Sequence, residues 1–224
     1  MYLSRLILNP RHRRVQRELA HPYELHRTIL SAFPAVLPSD ERVLYRPEVD
    51  DQGLRVILFV QSQYLPDWRW AAEIPGYLLR PPETKPFDLH LVEGQVLAFR
   101  LRANPTVKKK SHEKPGSTPP RNGVRLGLLR EEDQRAWLER KGEQHGFRIL
   151  RALIIPEGMQ VGYKIPSEEE QKLRLVHLAV RFEGLLQVTD PALLCEAVRQ
   201  GIGSAKGFGF GLLSLGPASL ARAG

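Results

Sequence analysis

Apolar side chains recur along this chain with two spacings. One is the strict alternation of a half-buried strand, and the other is the spacing of about 3.6 residues of an amphipathic helix. Residues 2–8 (YLSRLIL) read as a strand that stops at the turn pair Asn9-Pro10. A basic segment with Arg11, Arg13, Arg14 and Arg17 follows. From Pro22 the spacing becomes helical, with Leu25, Ile29, Ala32 and Phe33 on one stripe. Pro22 suits the first helical position, and Glu24 sits where the N-terminal dipole favours an acid. Pro34 and Pro38 are expected to end this helix. Residues 42–46 and 55–61 read as strands; the second is nearly all apolar (Val56-Ile57-Leu58-Phe59-Val60) and is predicted to be buried. A short helix over 67–74 and a short strand over 77–80 complete this part, and a linker rich in proline and polar residues covers 81–86.

The same order then returns. In residues 95–103, Leu97, Phe99 and Leu101 fall on one face and Arg100 and Arg102 on the other. Residues 105–125 read as a mobile loop, with Lys108, Lys109, Lys110 and Pro119-Pro120. Residues 131–144 predict a helix with Glu131, Glu132 and Asp133 in its first turn and Gly146 past its end. Strands are expected at 147–155 and 172–183, joined by a long loop; Val176, Leu178, Val180 and Phe182 share a face of the second. Asp190 is placed as an N-cap with Pro191 behind it, Gly201 lies beyond that helix, and 208–215 closes as a strand. Strand-helix-strand-strand-helix-strand, given twice, predicts an α+β fold of two tandem ferredoxin-like (RRM-like) βαββαβ domains, residues 1–88 and 89–224. The repeat lies in element order, not in residue identity.

Composition narrows the setting. The 224 residues, 42% hydrophobic and 26% charged, suffice for one large or two small packed cores. Lys and Arg number 33 against 25 Asp and Glu, a net charge of +8, and the pI is near 9.8. This points to a polyanionic partner or simply to a basic protein. The single cysteine, Cys195, excludes a disulfide framework and a cysteine-based zinc site and fits a reducing, cytoplasmic compartment. Within Ala192-Leu193-Leu194-Cys195 it reads as a packing residue. No run reaches the roughly 18 apolar residues of a membrane span, and residues 1–10 lack the order of a signal peptide.

Residues 201–211 hold five glycines in eleven positions: Gly201, Gly203, Gly207, Gly209 and Gly211, with Lys206 among them. Such a backbone can approach a ligand closely and cradle phosphates, or it can serve as a packing-limited connector. A dinucleotide site needs its glycines between a strand and a following helix; here they follow a helix and precede a strand, and no Walker A pattern occurs. Tyr23 and His26, three apart, share a helix face with Arg27 alongside. An imidazole and a phenol can exchange protons with a substrate at neutral pH, and RNA brings its own nucleophile, the 2′-OH, so no metal is required. The alternative is a surface histidine at a helix start. The other histidines, His12, His21, His90, His112, His145 and His177, form no ligand motif, and no metal site is expected. Arg11, Arg13, Arg14 and Arg17, Arg100 and Arg102, Lys108 to Lys110, and Arg121 and Arg125 form basic stretches; on a tandem ferredoxin-like frame they suit A-form RNA, gripped through phosphate and shape.

Taken together, four segments resemble the CasE family, the CRISPR repeat-processing endoribonucleases of type I-E Cascade within the RAMP superfamily. They are the first strand with Leu8-Asn9-Pro10, then His21-Pro22-Tyr23-Glu24-Leu25-His26-Arg27, then Phe99-Arg100-Leu101-Arg102-Ala103-Asn104-Pro105, and last Gly201-Ile202-Gly203 followed after five residues by Gly209-Phe210-Gly211. The resemblance implies a metal-independent endoribonuclease that binds a CRISPR repeat stem-loop and cuts at its 3′ base by 2′-OH attack. It also implies that the enzyme keeps the product as it joins the other Cascade subunits. Tyr23 and His26 become the catalytic pair, with base and acid unassigned. Arg11, Arg13, Arg14, Arg27, Arg100, Arg102, Lys108, Lys109 and Lys110 are expected on RNA. A hairpin over about 150–174 would hold the stem through Lys164, Lys172 and Arg174, with the glycine-rich loop (Lys206 and the five glycines) beside it. Individual residues of the loop 108–125 do not align with the family. No small-molecule cofactor and no membrane are called for. The alternative is a non-catalytic RAMP-type RNA-binding scaffold subunit, which has no need of the Tyr23/His26 pair.

Overall fold

The computed structural model describes residues 1–38, 41–50, 52–108, 125–164 and 173–219. The first set of elements is β1 (Tyr2–Leu8), α1 (Arg13–Ala20), α2 (Pro22–Leu30), β2 (Leu44–Val49), β3 (Val56–Ser62), α3 (Arg69–Glu73) and β4 (Glu83–Pro86). Its strands form one antiparallel sheet in the order β2-β3-β1-β4. The second set is β5 (Val96–Ala103), β6 (Thr106–Lys108), β7 (Arg125–Gly127), α4 (Glu131–Gln144), β8 (Phe147–Lys164), β9 (Leu173–Val188), α5 (Pro191–Gln200), a 3₁₀ turn (Lys206–Phe208) and β10 (Leu213–Pro217). Its main sheet runs β10-β5-β9-β8, so each sheet places its last strand beside its first and its third beside its second. This is the ferredoxin-like order, formed twice.

Each sheet buries its apolar face under helices. In the first, Leu6, Leu8, Leu58 and Val60 meet Val15 of α1 and the predicted stripe Leu25, Ile29, Ala32 and Phe33. In the second, Leu97, Phe99, Leu101, Val180 and Phe182 pack on Trp137 and Leu138 of α4 and on Leu194, Ala197 and Val198 of α5. Trp137 stacks on Phe182 with ring centroids 5.9 Å apart. Asp190 caps α5 as expected, its Oδ1 accepting from the Leu193 amide at 3.0 Å. Among the described residues no helix is long and apolar enough to cross a membrane.

Several elements depart from the sequence reading. The basic segment continues into a helix, α1, hidden because its buried face is Val15 plus a carboxylate, Glu18. Glu18 accepts from Arg14 Nε (2.7 Å), Thr28 Oγ1 (2.7 Å) and Tyr77 Oη (2.6 Å), which satisfies a buried acid. The linker at 81–86 contains β4, an exposed edge strand with no apolar alternation, held by its backbone pairing to Tyr2–Arg5. Residues 77–80 are not a strand and make a single bridge, Leu78 to Leu8. β3 is buried along one face, while on the other Ile57 and Phe59 are half-buried and Gln61 is buried. The helix α2 ends at Leu30, ahead of Pro34. The long loop expected after residue 155 is mostly strand, since β8 and β9 extend to 18 and 16 residues as one hairpin. The flanks of the expected loop 105–125 pair as a ribbon, β6 with β7; residues 109–124 lie outside the described residues. The last strand begins at Leu213 rather than 208, because the 3₁₀ turn precedes it.

Candidate active site and nucleic-acid interface

The glycine-rich loop closes on itself. The Gly201 amide ends α5 by donating to Ala197 O at 2.8 Å, Ile202 N donates to Gly211 O at 2.9 Å, and Gly211 N donates to Arg102 O on β5 at 2.8 Å. Gly201 has φ +73, and a Cβ there would lie 2.8 Å from a Leu44 methyl and 3.0 Å from Gly211 O. Any larger residue would therefore meet both backbone strain and the opposite wall of the loop. Gly203 lies against Trp137. Asn104, at the end of β5, joins three segments: its Oδ1 accepts from Leu178 N at 3.2 Å, and its Nδ2 reaches Ser204 Oγ at 3.4 Å and His177 Nδ1 at 3.3 Å. The hairpin docks on the same loop, with Gln160 Nε2 donating to Phe208 O at 3.2 Å and the Phe208 ring 4.8 Å from that of His177.

The two ends of the sequence meet here. The helix α2 touches the 3₁₀ turn directly, and a Cβ on Gly207 would stand 3.5 Å from His26 Nε2. Glycine thus sets backbone rather than a side chain against this side of the imidazole. His26 is half-buried, its Nδ1 is buried with no hydrogen-bond partner, and burial pushes its pKa below the usual histidine value. Its ring stacks on Tyr45, with centroids 6.0 Å apart and planes 20° apart. Tyr23 is half-buried one turn earlier on α2, and Arg27 is exposed with a 3.9 Å contact to Glu24.

The predicted cations divide into two groups. Arg11, Arg13, Lys108 and Arg174 are exposed. Lys206 is half-buried, its pKa lowered by burial and then by Arg42 and Lys141 nearby. The same Lys141 and Lys206 act on His145, whose pKa is lowered first by burial. Arg42, Lys141 and His145 come from a loop and the end of α4, and no spacing in the sequence marked them. Arg14, Arg100 and Arg102, by contrast, are taken up within the chain. Arg14 holds Glu18 and lies over Trp70 and Tyr77. Arg100 holds Glu48 (2.7 Å) and Glu183 (2.8 Å). Arg102 holds Glu157 (2.6 Å) and covers the Phe210 ring. In this structure the charge of these three is matched by carboxylates of the chain itself. Lys164 ends β8, while Lys109, Lys110 and Lys172 lie outside the described residues. Among the described residues no group of three or more His, Cys, Asp or Glu side chains is placed to hold a metal ion.

Residues 1–217 match the family model described as CRISPR associated protein. The chain is 39% identical over 227 residues to the CRISPR-associated endoribonuclease Cse3 of Thermus thermophilus, covering 97% of this chain and 100% of the relative. It is 33% identical over 220 residues to the CRISPR system Cascade subunit CasE of Escherichia coli, again covering 97% and 100%. Among solved structures it resembles CRISPR endoribonuclease Cse3 bound to a 19 nt RNA, with a TM-score of 0.80, 36% identity, and 97% of this chain and 100% of the other covered.

Proposed function

The chain belongs to the CRISPR-associated protein family of Cse3 and CasE, and we propose that it is the endoribonuclease that cuts precursor CRISPR RNA at the base of the repeat stem-loop and keeps the product for Cascade. The observation that carries this reading is a half-buried imidazole facing a glycine turn that bears a lysine. The RNA's 2′-oxygen attacks the adjacent phosphorus as its proton leaves to a base. The bond from phosphorus to the 5′-oxygen breaks as an acid protonates that oxygen. The products are a 2′,3′-cyclic phosphate and a 5′-OH. Tyr23 and His26 divide the two proton transfers, and Lys206 and Arg27 offset charge building on the phosphate. No step calls for a metal. In this reading residues 1–88 carry the catalytic helix, and residues 89–224 carry the hairpin and the loop that hold the stem. A single cysteine and an RNA substrate support a cytoplasmic setting for this reading.

The test is incubation with the host's own repeat RNA in EDTA. A single cut leaving a cyclic phosphate is expected. Cleavage only with added Mg²⁺ overturns the metal-free mechanism, and tight binding without cleavage favours a non-catalytic scaffold subunit.

Binding is also expected to weaken steeply with salt. The exposed cations Arg11, Arg13, Arg27, Arg42 and Arg174 release counterions from the phosphates they meet, so log K should fall by about 0.9 per contact for each tenfold rise in salt. Affinities measured between about 50 and 200 mM salt check this. A flat profile would remove the basic surface as the RNA footprint.

A further inference from the structure

We propose that Tyr45 is a positioning residue that holds His26 and the glycine turn in register for cleavage. The inference rests on the catalytic reading of His26. Tyr45 sits on β2 opposite Val60 and is fully buried. A side chain there needs no hydroxyl for packing, since phenylalanine fills the same space without burying a polar atom. The hydroxyl has two partners instead. It donates to Gly207 O at 2.8 Å and lies 3.3 Å from Pro22 O. Pro22 opens α2, and Gly207 is the middle residue of the turn.

Three features thus converge on one phenol. Its ring stacks on the His26 imidazole. Its hydroxyl holds the carbonyl of the glycine that faces His26. Its edge lies 3.2 Å from where a Cβ on Gly209 would be, just past the turn. The turn is therefore anchored on both sides by a rigid group that also fixes the imidazole plane. Burial holds the phenol above its ordinary pKa, so it remains a donor throughout the pH range of the reaction. Arg102 is the charged group that acts on this phenol, while Lys206 lies on the turn and Glu24 and Arg27 on α2. No spacing in the sequence pointed to this arrangement, because Tyr45 lies in an ordinary strand.

The test is Tyr45→Phe, read by single-turnover cleavage of the repeat stem-loop across pH. Tyr77→Phe serves as the control: it removes another buried phenol of the same core, bonded to Glu18 and not to His26. Tyr45→Phe is expected to lower the plateau rate about tenfold, the size of one lost neutral hydrogen bond. RNA affinity should stay near wild type. The limb that reports His26 should move up toward the ordinary histidine value, because a loosened turn admits water to the ring. An NMR titration of the His26 imidazole in the free protein should move the same way, and it remains readable if activity is lost. Tyr77→Phe should lower the melting temperature and leave the limb in place. Wild-type rates and an unmoved imidazole in Tyr45→Phe overturn the proposal, as does an equal rate loss in both variants with neither limb moved. His26→Ala runs alongside: full activity in that variant sinks the catalytic reading itself, whereas an inactive His26→Ala beside an unaffected Tyr45→Phe sinks only the role of Tyr45.

Discussion

His26→Ala is expected to slow cleavage of the cognate stem-loop in EDTA by about 10²–10⁴-fold, the range that one positioned acid or base supplies. Affinity for the uncut RNA should change little. The imidazole faces a turn of backbone rather than the exposed cations, so its loss removes proton transfer and leaves most phosphate contacts in place. The pH dependence supplies a second readout. Burial disfavours the imidazolium and lowers the pKa of His26, so the neutral ring persists further into acid than an exposed histidine would. The wild-type limb belonging to this residue should therefore fall below the ordinary value of about 6.5. Quenched-flow or gel assays of single turnover from about pH 4.5 to 8 measure both effects. Residual activity within a few-fold of wild type, or a limb above the ordinary value, would remove His26 from the chemistry.

Much of this site can be read in the sequence, and what cannot has a physical cause. The helix α2 was legible because Leu25 and Ile29 recur at helical spacing behind a proline suited to its first turn. Both ends of α5 were legible because Asp190 before it and Gly201 after it are strong cap signals. α1 was not, because its buried face includes Glu18, and a buried acid looks polar until its three donors are known. β4 was not, because an edge strand held by backbone pairing need not alternate. The meeting of His26 with Gly207 was not, because nothing local in a chain records a contact between positions so far apart. Arg100 and Arg102 show the opposite failure: alternation placed them correctly on one face of β5, yet it could not show that Glu48, Glu183 and Glu157 were waiting there.

Those carboxylates belong to a larger arrangement, and its buried end makes the largest stability prediction. Arg46→Ala is expected to cost about 3 kcal/mol, the lower end of the range for breaking a buried pair from one side. The Arg46 side chain is 4% exposed and donates to Glu48 at 2.6 Å. From β2 of the first sheet it reaches across to the second, donating to Leu212 O just before β10 at 3.1 Å and to Ser214 Oγ on β10 at 3.0 Å. Its partner Glu48 is shared with Arg100, Arg100 with Glu183, Glu183 with Arg181, Arg181 with Glu157, and Glu157 with Arg102. One run of alternating charge thus crosses from sheet to sheet, through the Glu48–Arg100 pair and through Arg46, its most buried member. Truncation leaves a carbonyl and half of a carboxylate without donors. A cavity of about 580 Å³ borders Arg46, Arg100 and Glu183 and lets water reach them, which is why the lower end of the range applies. Arg46→Lys should restore little, since one ammonium on a flexible stem cannot serve three acceptors in a fixed fork. Urea unfolding should show a lower midpoint. A midpoint displaced by less than about 1 kcal/mol would mean that the other contacts between the sheets, the Glu48–Arg100 pair and the packing of Leu44 on Gly201 among them, hold them together without Arg46.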